Sequence, residues 1–353
     1  MALIVDSEKT KNLVSLIFVR SGLDEKDAHL VAENLVQAEM RGIRSHGLVQ
    51  VANYSTYMRN GKINVKAEMK TISESDSALS FDADFAPGAV AGRYAMQRTI
   101  EKAEKTGVAV STVKNATHFG FAAFYAQEAV KKDLIGLAFT SSSLLVAPFG
   151  GFERVLGTNP ICVAVPAFQE RPVVFDAATS NAAYNKSFFA YTEGRKIPRN
   201  WGMDAHGKPT ENPADIVKNG GALFPFGGYK GYGLDFIVYL LTAVLGGSAI
   251  GRNENGIFED SGKIGYNFAA IDIAKFTDTE AFKKTVDFAV RRIKASKKQA
   301  ETERIYVPGE IEAELYEKAK TDGILLYDGV AREIRRTLSE LGIAESLDSL
   351  KKT

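Results

Sequence analysis

The sequence has little cysteine and no surplus of either charge. Its one cysteine, Cys162, lies in the apolar run 161–165, so no intramolecular disulfide can form, which suits a reducing compartment. The 353 residues carry 44 basic and 43 acidic side chains, a formal net charge of +1. Without a broad electrostatic field, binding to nucleic acid or to a membrane surface is not expected. A small molecule is the expected partner.

Long hydrophobic runs are missing as well. The most apolar window, residues 234–245, contains Asp235 and is shorter than the ~20 residues that a membrane span needs, so we predict a buried helix there. The N-terminal segment has neither the basic region nor the apolar stretch of a signal peptide. These features predict a cytoplasmic protein that makes no use of a membrane.

Several common site motifs are also absent. The chain has no G-x-G-x-x-G or Walker sequence, so any dinucleotide is bound in another way. It has no G-x-S-x-G elbow, which disfavours an acyl hydrolase. The four histidines (His29, His46, His118 and His206) are scattered, and none pairs with another histidine or with the cysteine at metal-ligand spacing. No metal site is therefore expected.

Residue periodicity predicts helical ends around a mixed middle. Helices are predicted within 8–60, where Asp24 caps one that ends near Gly42, and over 88–105, 121–132, 178–194, 278–297, 310–320 and 330–341. Strands are predicted over 78–81, 108–113, 135–139, 161–165, 173–175 and 266–273, with linkers at 60–75 and 198–221. This alternation favours an α/β fold with a mixed or partly parallel sheet covered by helices.

The most informative residues are Ser45 and His46. Ser45 is a good N-cap, and the apolar residues after it predict a helix that begins there. On such a helix, His46, Gln50 and Tyr54 would form one polar stripe. An imidazole at a helix start next to a substrate anion suits acid/base chemistry. The alternative is a histidine that only caps or packs.

Four polar or glycine-rich turns lie beside predicted strands and helices, at residues 117–120, 157–160, 176–180 and 227–233. Each could turn backbone amides toward a ligand, and each could equally be an ordinary turn. In the last turn, glycines would allow a pyrophosphate to approach closely, and Lys230 could supply the opposite charge.

The order of these motifs resembles the type 2 malate/L-lactate dehydrogenase family. The matching segments are 41–47, 118–120, 147–151, 157–160, 176–180, Lys186, 225–234 and 304–310. The resemblance runs from about residue 10 to beyond residue 310, in the family's order. It implies a non-Rossmann α/β domain that binds nicotinamide, with a helical domain formed from both termini, in a homodimer. The implied domains are 1–75 plus about 305–353 (helical) and 76–304 (cofactor and substrate).

The resemblance also implies a role for individual residues. His46 would exchange a proton with the substrate oxygen, oriented by Ser45 and helped by Lys186. The substrate would contact Gln50, Tyr54, His118, Phe119, Gly120, Thr158 and Asn159. The cofactor, NAD or NADP, would contact Ser142, Asp176, Ala178, Thr179, Lys230, Arg304, Pro308, Gly309 and Glu310. The basic residues in this set suit either cofactor.

Two positions depart from the family pattern. Gln50 stands where most members carry an arginine that can grip a carboxylate, and Asn185 stands where glycine is frequent. These departures leave hydride transfer to a 2-oxo acid or from a 2-hydroxy acid in place, but they make malate and lactate less suitable substrates. The alternatives are a reductase of cyclic imines, of the delta1-piperideine- or pyrroline-2-carboxylate type, and a scaffold that binds a nucleotide without turnover.

Overall fold

The centre of the molecule is a seven-stranded mixed sheet. The structure is a computed structural model that describes residues 3–248, 251–252, 258–259 and 264–352. The strands are β1 (Leu3–Val5), β2 (Lys70–Glu74), β3 (Ala78–Asp82), β4 (Val108–Ala116), β5 (Leu134–Thr140), β6 (Ile161–Val165), β7 (Val173–Ala177), β8 (Gly202–Met203), β9 (Ala222–Leu223), β10 (Gly251–Arg252), β11 (Phe258–Glu259), β12 (Ile264–Asp272) and β13 (Ile324–Leu326). The large sheet has the order β2-β3-β4-β12-β5-β6-β7. Among the described strands of this sheet, β3 and β4 alone pair in parallel, so the predicted mixed sheet is confirmed.

Helices cover this sheet and form most of both chain ends. They are α1 (Ser7–Arg20), α2 (Glu25–Met40), α3 (Val51–Arg59), α4 (Gly88–Thr106), α5 (Ala123–Val130), α6 (Tyr184–Thr192), α7 (Pro213–Val217), α8 (Tyr229–Tyr239), α9 (Thr279–Lys294), α10 (Glu310–Asp322) and α11 (Asp328–Glu340). As predicted, Asp24 caps α2, because its side chain accepts a hydrogen bond from the Asp27 amide. Helix α4 packs on β4 and β12, and α5 packs on β5 and β6.

Three larger apolar cores hold the described elements together, beside a small cluster of Ala147, Met203 and Ala222. The first fills the space between the sheet and α4 and α5, and includes Phe81, Tyr125 and Phe268. The second joins the two ends of the chain, because residues of α1, α2, α3 and α11 pack together and β1 pairs with β13. The third is small and lies within residues 146–223, with Ala190 of α6 among its members.

The helix predicted to begin at Ser45 begins instead at Val51. Two short 3-10 turns, Arg44–His46 and Leu48–Gln50, precede it. The Leu48 amide donates to the carboxylate of Glu39 (2.9 Å), and the Ser45 hydroxyl pairs with the ring of His46 instead of capping a helix. The prediction was wrong because these contacts occupy the groups that a helix start would need.

Three other predicted segments also differ. The helix predicted over 178–194 starts only at Tyr184, because the amides of Thr179 and Asn181 bond to the carbonyls of neighbouring loops. The linker predicted over 60–75 contains the edge strand β2, whose residues are all exposed and so show no alternation of apolar residues. The linker predicted over 198–221 contains β8 and α7, anchored by the buried Ile216.

The buried helix predicted over 234–245 is buried on one side only, through Val238 and Ala243, and exposes its other apolar side chains in part. Helix α8 continues into a π-helical turn, Leu240–Val244, and Ile237 and Leu245 are 51% and 62% exposed. The two polar side chains Asp235 and Thr242 are completely buried. Within the ranges that the structure describes, no helix is both long enough and apolar enough to cross a bilayer.

Candidate active site

A cavity of about 2300 Å³ lies between the helical core and the small core of residues 146–223. This volume exceeds the ~300–1,000 Å³ of a typical small-molecule site and leaves room for a large ligand beside a small one. Fourteen predicted site residues line it: Ser45, His46, Gln50, Tyr54, His118, Phe119, Gly120, Ser142, Thr158, Asp176, Ala178, Lys186, Pro308 and Gly309. Residues that are far apart in the sequence thus meet at one cavity.

The imidazole of His46 is held by the residue before it. The hydroxyl of Ser45 lies 2.7 Å from Nδ1 of His46, so Nε2 is the nitrogen left for a ligand. Burial lowers the pKa of His46 to about 4. At neutral pH this imidazole is uncharged and can accept a proton.

A second imidazole, that of His118, stacks on His46. The two ring centres are 5.3 Å apart and the ring planes differ by 21°. The hydroxyl of Tyr54 lies 2.5 Å from Nδ1 of His118, so this ring too leaves Nε2 unpaired. Burial, and then the charge of His46, lowers the pKa of His118 to about 3. Two neighbouring imidazoles of this kind hold one proton between them far more readily than two.

The turn that carries His118 explains the neighbouring residues. Gly120 has φ of +79°, and a Cβ there would collide with the side chain of Asn34, so only glycine fits. Phe119 is almost completely buried and packs against Tyr125 and Tyr266. Phe119 therefore anchors the turn in the sheet core, besides contributing to the cavity wall.

Gln50 and Lys186 face the cavity in different states. The Nε2 of Gln50 donates to the carbonyl of Ser45 (3.1 Å), and its Oε1 accepts from Asn53 (3.2 Å), so both ends of the amide are engaged. Lys186 lies in the first turn of α6 and is exposed. Among the described residues no hydrogen bond or ion pair engages its ammonium group, which leaves it available to an anion.

Ser142, Thr158 and Asn159 form one hydrogen-bonded wall. The Ser142 amide donates to the Asn159 side chain (3.0 Å), and the Thr158 amide donates to the Ser142 hydroxyl (2.8 Å). Behind them, the Asn159 amide group donates to Asp235 (2.5 Å), and the Thr179 hydroxyl donates to the Asn159 carbonyl (3.0 Å). Ser142 and Thr158 line the cavity, whereas Asn159 and Thr179 do not and support them from behind.

Asp176 and Arg41 contribute charged groups to the same cavity lining. The carboxylate of Asp176 accepts from the Ala123 amide (2.7 Å) at the start of α5, and burial raises the pKa of Asp176 to about 6. The guanidinium of Arg41 stacks on Tyr316 at 4.7 Å, and its buried Nε has no hydrogen-bond partner among the described residues. A buried donor without a partner in a cavity wall suits an anionic ligand.

Besides Thr179, three predicted cofactor residues lie outside the cavity lining. Lys230 is exposed on α8, with its ammonium 5.9 Å from the Tyr229 ring centre. Glu310 accepts from Lys294 (2.6 Å) and from Arg304, so these charges are paired with one another. Within the single chain they hold the start of α10 in place.

Sequence reasoning missed Arg41 and Asp235 as candidates. Arg41 begins the segment 41–47 that carries His46, and that position was the one available signal. Asp235 was noted only as a polar residue in an apolar window. An acidic residue inside such a window indicates a specific polar partner, which here is Asn159.

Comparisons with known proteins agree with this architecture. The family model for malate/L-lactate dehydrogenase matches residues 5–335. A malate dehydrogenase of Pyrococcus abyssi is 35% identical over 346 residues, which are 96% of this chain and 95% of that protein. The structure of sulfolactate dehydrogenase from Methanocaldococcus jannaschii is similar with 35% identity and a TM-score of 0.88, over 99% of both chains. That of delta1-piperideine-2-carboxylate reductase from Pseudomonas syringae has 27% identity and a TM-score of 0.83, over 95% of this chain and 99% of that one.

Proposed function

Since the chain belongs to the malate/L-lactate dehydrogenase family, we propose that it transfers a hydride between a nicotinamide cofactor, NAD or NADP, and a 2-oxo or 2-hydroxy acid. The observation that carries the proposal is the imidazole of His46, tied at Nδ1 by Ser45, with Nε2 left for a ligand in a cavity that Lys186 also lines. A hydride acceptor of this class develops negative charge on oxygen, which such groups can neutralise.

The residues of the cavity fit a dinucleotide. The volume of about 2300 Å³ can hold a ligand of that size together with a small acid. The buried, unpartnered Nε of Arg41 suits a phosphate group, and Ser142, Asp176 and Ala178 offer polar and backbone groups in the same wall. When bound, a nicotinamide supplies or accepts the hydride. These residues support either cofactor, so the proposal covers both.

His46 moves the proton in this proposal. Because burial holds its pKa near 4, the neutral ring can take the proton from an alcohol that is being oxidised. In the opposite direction a protonated ring would donate to the carbonyl oxygen as charge forms there. Lys186 would bind the carboxylate of the substrate.

Replacing His46 with alanine tests the assignment. Turnover of NAD(P)H with the best of a panel of 2-oxo acids is expected to fall ~100- to 10,000-fold, the usual contribution of a general acid or base. Cofactor affinity, measured by quenching of NAD(P)H fluorescence, should change little. The control is H206A, which alters an exposed histidine outside the cavity. Unchanged turnover in H46A would refute the role of His46.

A cyclic imine reductase is the second candidate, favoured by the similarity to delta1-piperideine-2-carboxylate reductase. Adding cyclic imino acids to the same panel distinguishes the two, since the favoured class is the one with the higher kcat/KM. Tight NAD(P)H binding without turnover of any panel member would instead support a scaffold that binds nucleotides.

We also propose a homodimer. Helix α8 and the π-turn after it expose Leu234, Phe236, Ile237, Val244 and Leu245 on the surface of the single chain. A contiguous apolar face of this kind usually marks an interface. A cytoplasmic location remains a prediction from the sequence.

A further inference from the structure

The carbonyl oxygen of Ser45 is held by two side-chain amides. Nδ2 of Asn185, in the first turn of α6, donates to it at 2.6 Å, and Nε2 of Gln50 donates at 3.1 Å. A carbonyl oxygen has two lone pairs, so both are used. The two donors lie 135 positions apart in the chain.

This carbonyl belongs to the peptide unit that precedes His46. The amide nitrogen of the same unit donates to the carbonyl of Ile43 (3.0 Å), so both polar groups of the unit are fixed. The Ser45 hydroxyl in turn holds the His46 ring. The orientation of the imidazole therefore depends on the hydrogen bonds to the Ser45 carbonyl.

Asn185 also connects two walls of the cavity. Helix α6, with Ala190, belongs to the small core of residues 146–223, whereas Leu48, beside His46, belongs to the helical core. The residue next to Asn185 is Lys186, the cation proposed to bind the substrate carboxylate. The bond from Asn185 to Ser45 thus joins the backbone that carries the cation to the backbone that carries the imidazole.

We infer that Asn185 and Gln50 form an amide clamp on the Ser45 carbonyl and act as positioning residues, which fix His46 relative to Lys186. This inference rests on the proposed function. A substrate that bridges the ammonium and the imidazole reacts only if their separation suits it, and misplacement by ~1 Å can lower a rate about 100-fold. Asn185 is the better residue to test, because Gln50 has a second partner in Asn53.

The test compares N185A and N185D with the wild type. Alanine removes the donor, and aspartate of the same shape places a negative oxygen against the carbonyl. In both, kcat/KM for the best substrate is expected to fall at least about 10-fold at pH 8, mostly in kcat, with NAD(P)H affinity within about twofold. The control is N219A, whose exposed amide bonds to Asp215 outside the cavity (3.1 Å). N219A should stay within about twofold of the wild type.

Lowering the pH provides a measurement that a purely structural role of Asn185 would leave unchanged. At pH 5 the carboxyl of N185D can protonate and donate to the Ser45 oxygen. The activity of N185D, expressed as a fraction of wild-type activity at the same pH, should therefore be at least about threefold higher at pH 5 than at pH 8. Kinetic constants of N185A and N185D within about twofold of wild type at both pH values would overturn the clamp.

A wild type that turns over no panel substrate would contradict the proposed function, and the clamp is then judged separately by NMR. The ring signal of His46, assigned by its loss in H46A, should shift in N185A and not in N219A. An unshifted signal in N185A would overturn the clamp regardless of activity.

Discussion

The buried carboxyl of Asp235 should make stability depend on pH. Asp235 is 0% exposed, and its Oδ1 accepts a hydrogen bond from Asn159 at 2.5 Å. In the described part of the chain, no lysine, arginine or histidine forms an ion pair with it. Burial raises its pKa from 3.8 to about 7, because the charged form loses its hydration without gaining a cation.

The size of the effect follows from the difference between the two states. In the unfolded chain the carboxyl keeps a pKa near 3.8, whereas the folded protein holds the proton up to about pH 7. Below 3.8 both states are protonated and nothing is lost. Between the two values the free energy of unfolding falls by ~1.4 kcal/mol per pH unit, and above pH 7 the loss stays constant at ~4 kcal/mol. From pH 5 to pH 8 the loss is ~3 kcal/mol.

The D235N variant removes this ionisation while its carbonyl can still accept from Asn159. Urea unfolding at pH 5, 6, 7 and 8, followed by fluorescence, gives the free energy of unfolding of both proteins. We expect the variant-minus-wild-type difference to increase by ~3 kcal/mol across this range, whatever its starting value. The exposed Asp76→Asn, measured in the same way, is the control for the loss of a surface carboxylate. A constant difference for D235N would refute the reasoning.

Two further predictions concern the second imidazole and the apolar face of α8. Y54F removes the hydroxyl that holds His118 but keeps the ring near Phe18. We therefore expect kcat/KM to fall ~10- to 100-fold with NAD(P)H affinity unchanged. A loss of kcat/KM below about twofold would contradict the positioning of His118 by Tyr54. I237D places a charge on the proposed interface, so light scattering should find the wild type dimeric and the variant monomeric, and a monomeric wild type would exclude the dimer.

The elements that the sequence predicts well depend on local signals. Strand β6 spans the predicted residues 161–165, and Asp24 caps α2 as predicted. The start of α3 could not be found in this way, because it depends on the Glu39 carboxylate, which takes the Leu48 amide from nine residues away. Likewise, apolar composition predicted that residues 234–245 are helical, but it could not show which side of the helix is covered.

The candidate site also contains residues that local sequence patterns indicate and residues that they do not. Short patterned segments indicated Ser45, His46 and His118, and the family resemblance added Lys186. The structure brings all four to one cavity. The same patterns did not reveal that Gln50 and Asn185 share an acceptor, since a sequence carries no distance between residues so far apart. The family resemblance indicated Lys230 and Arg304, but it specifies their order in the chain and not their position in space, and neither lines the cavity.

The neutral imidazoles give the proposed reaction a dependence on its own ligand. With pKa values near 4 and 3, the rings of His46 and His118 are uncharged at pH 7. The site is therefore ready to accept a proton but not to donate one. A carboxylate bound nearby would raise these pKa values by its charge and so produce the acid that carbonyl reduction needs. In the proposed reaction the substrate anion would then have two roles: it would bind Lys186, and it would favour protonation of the His46 ring. H46A removes this proton carrier, and because the equilibrium constant fixes the ratio of the two directions, kcat/KM should fall by the same factor in oxidation and in reduction.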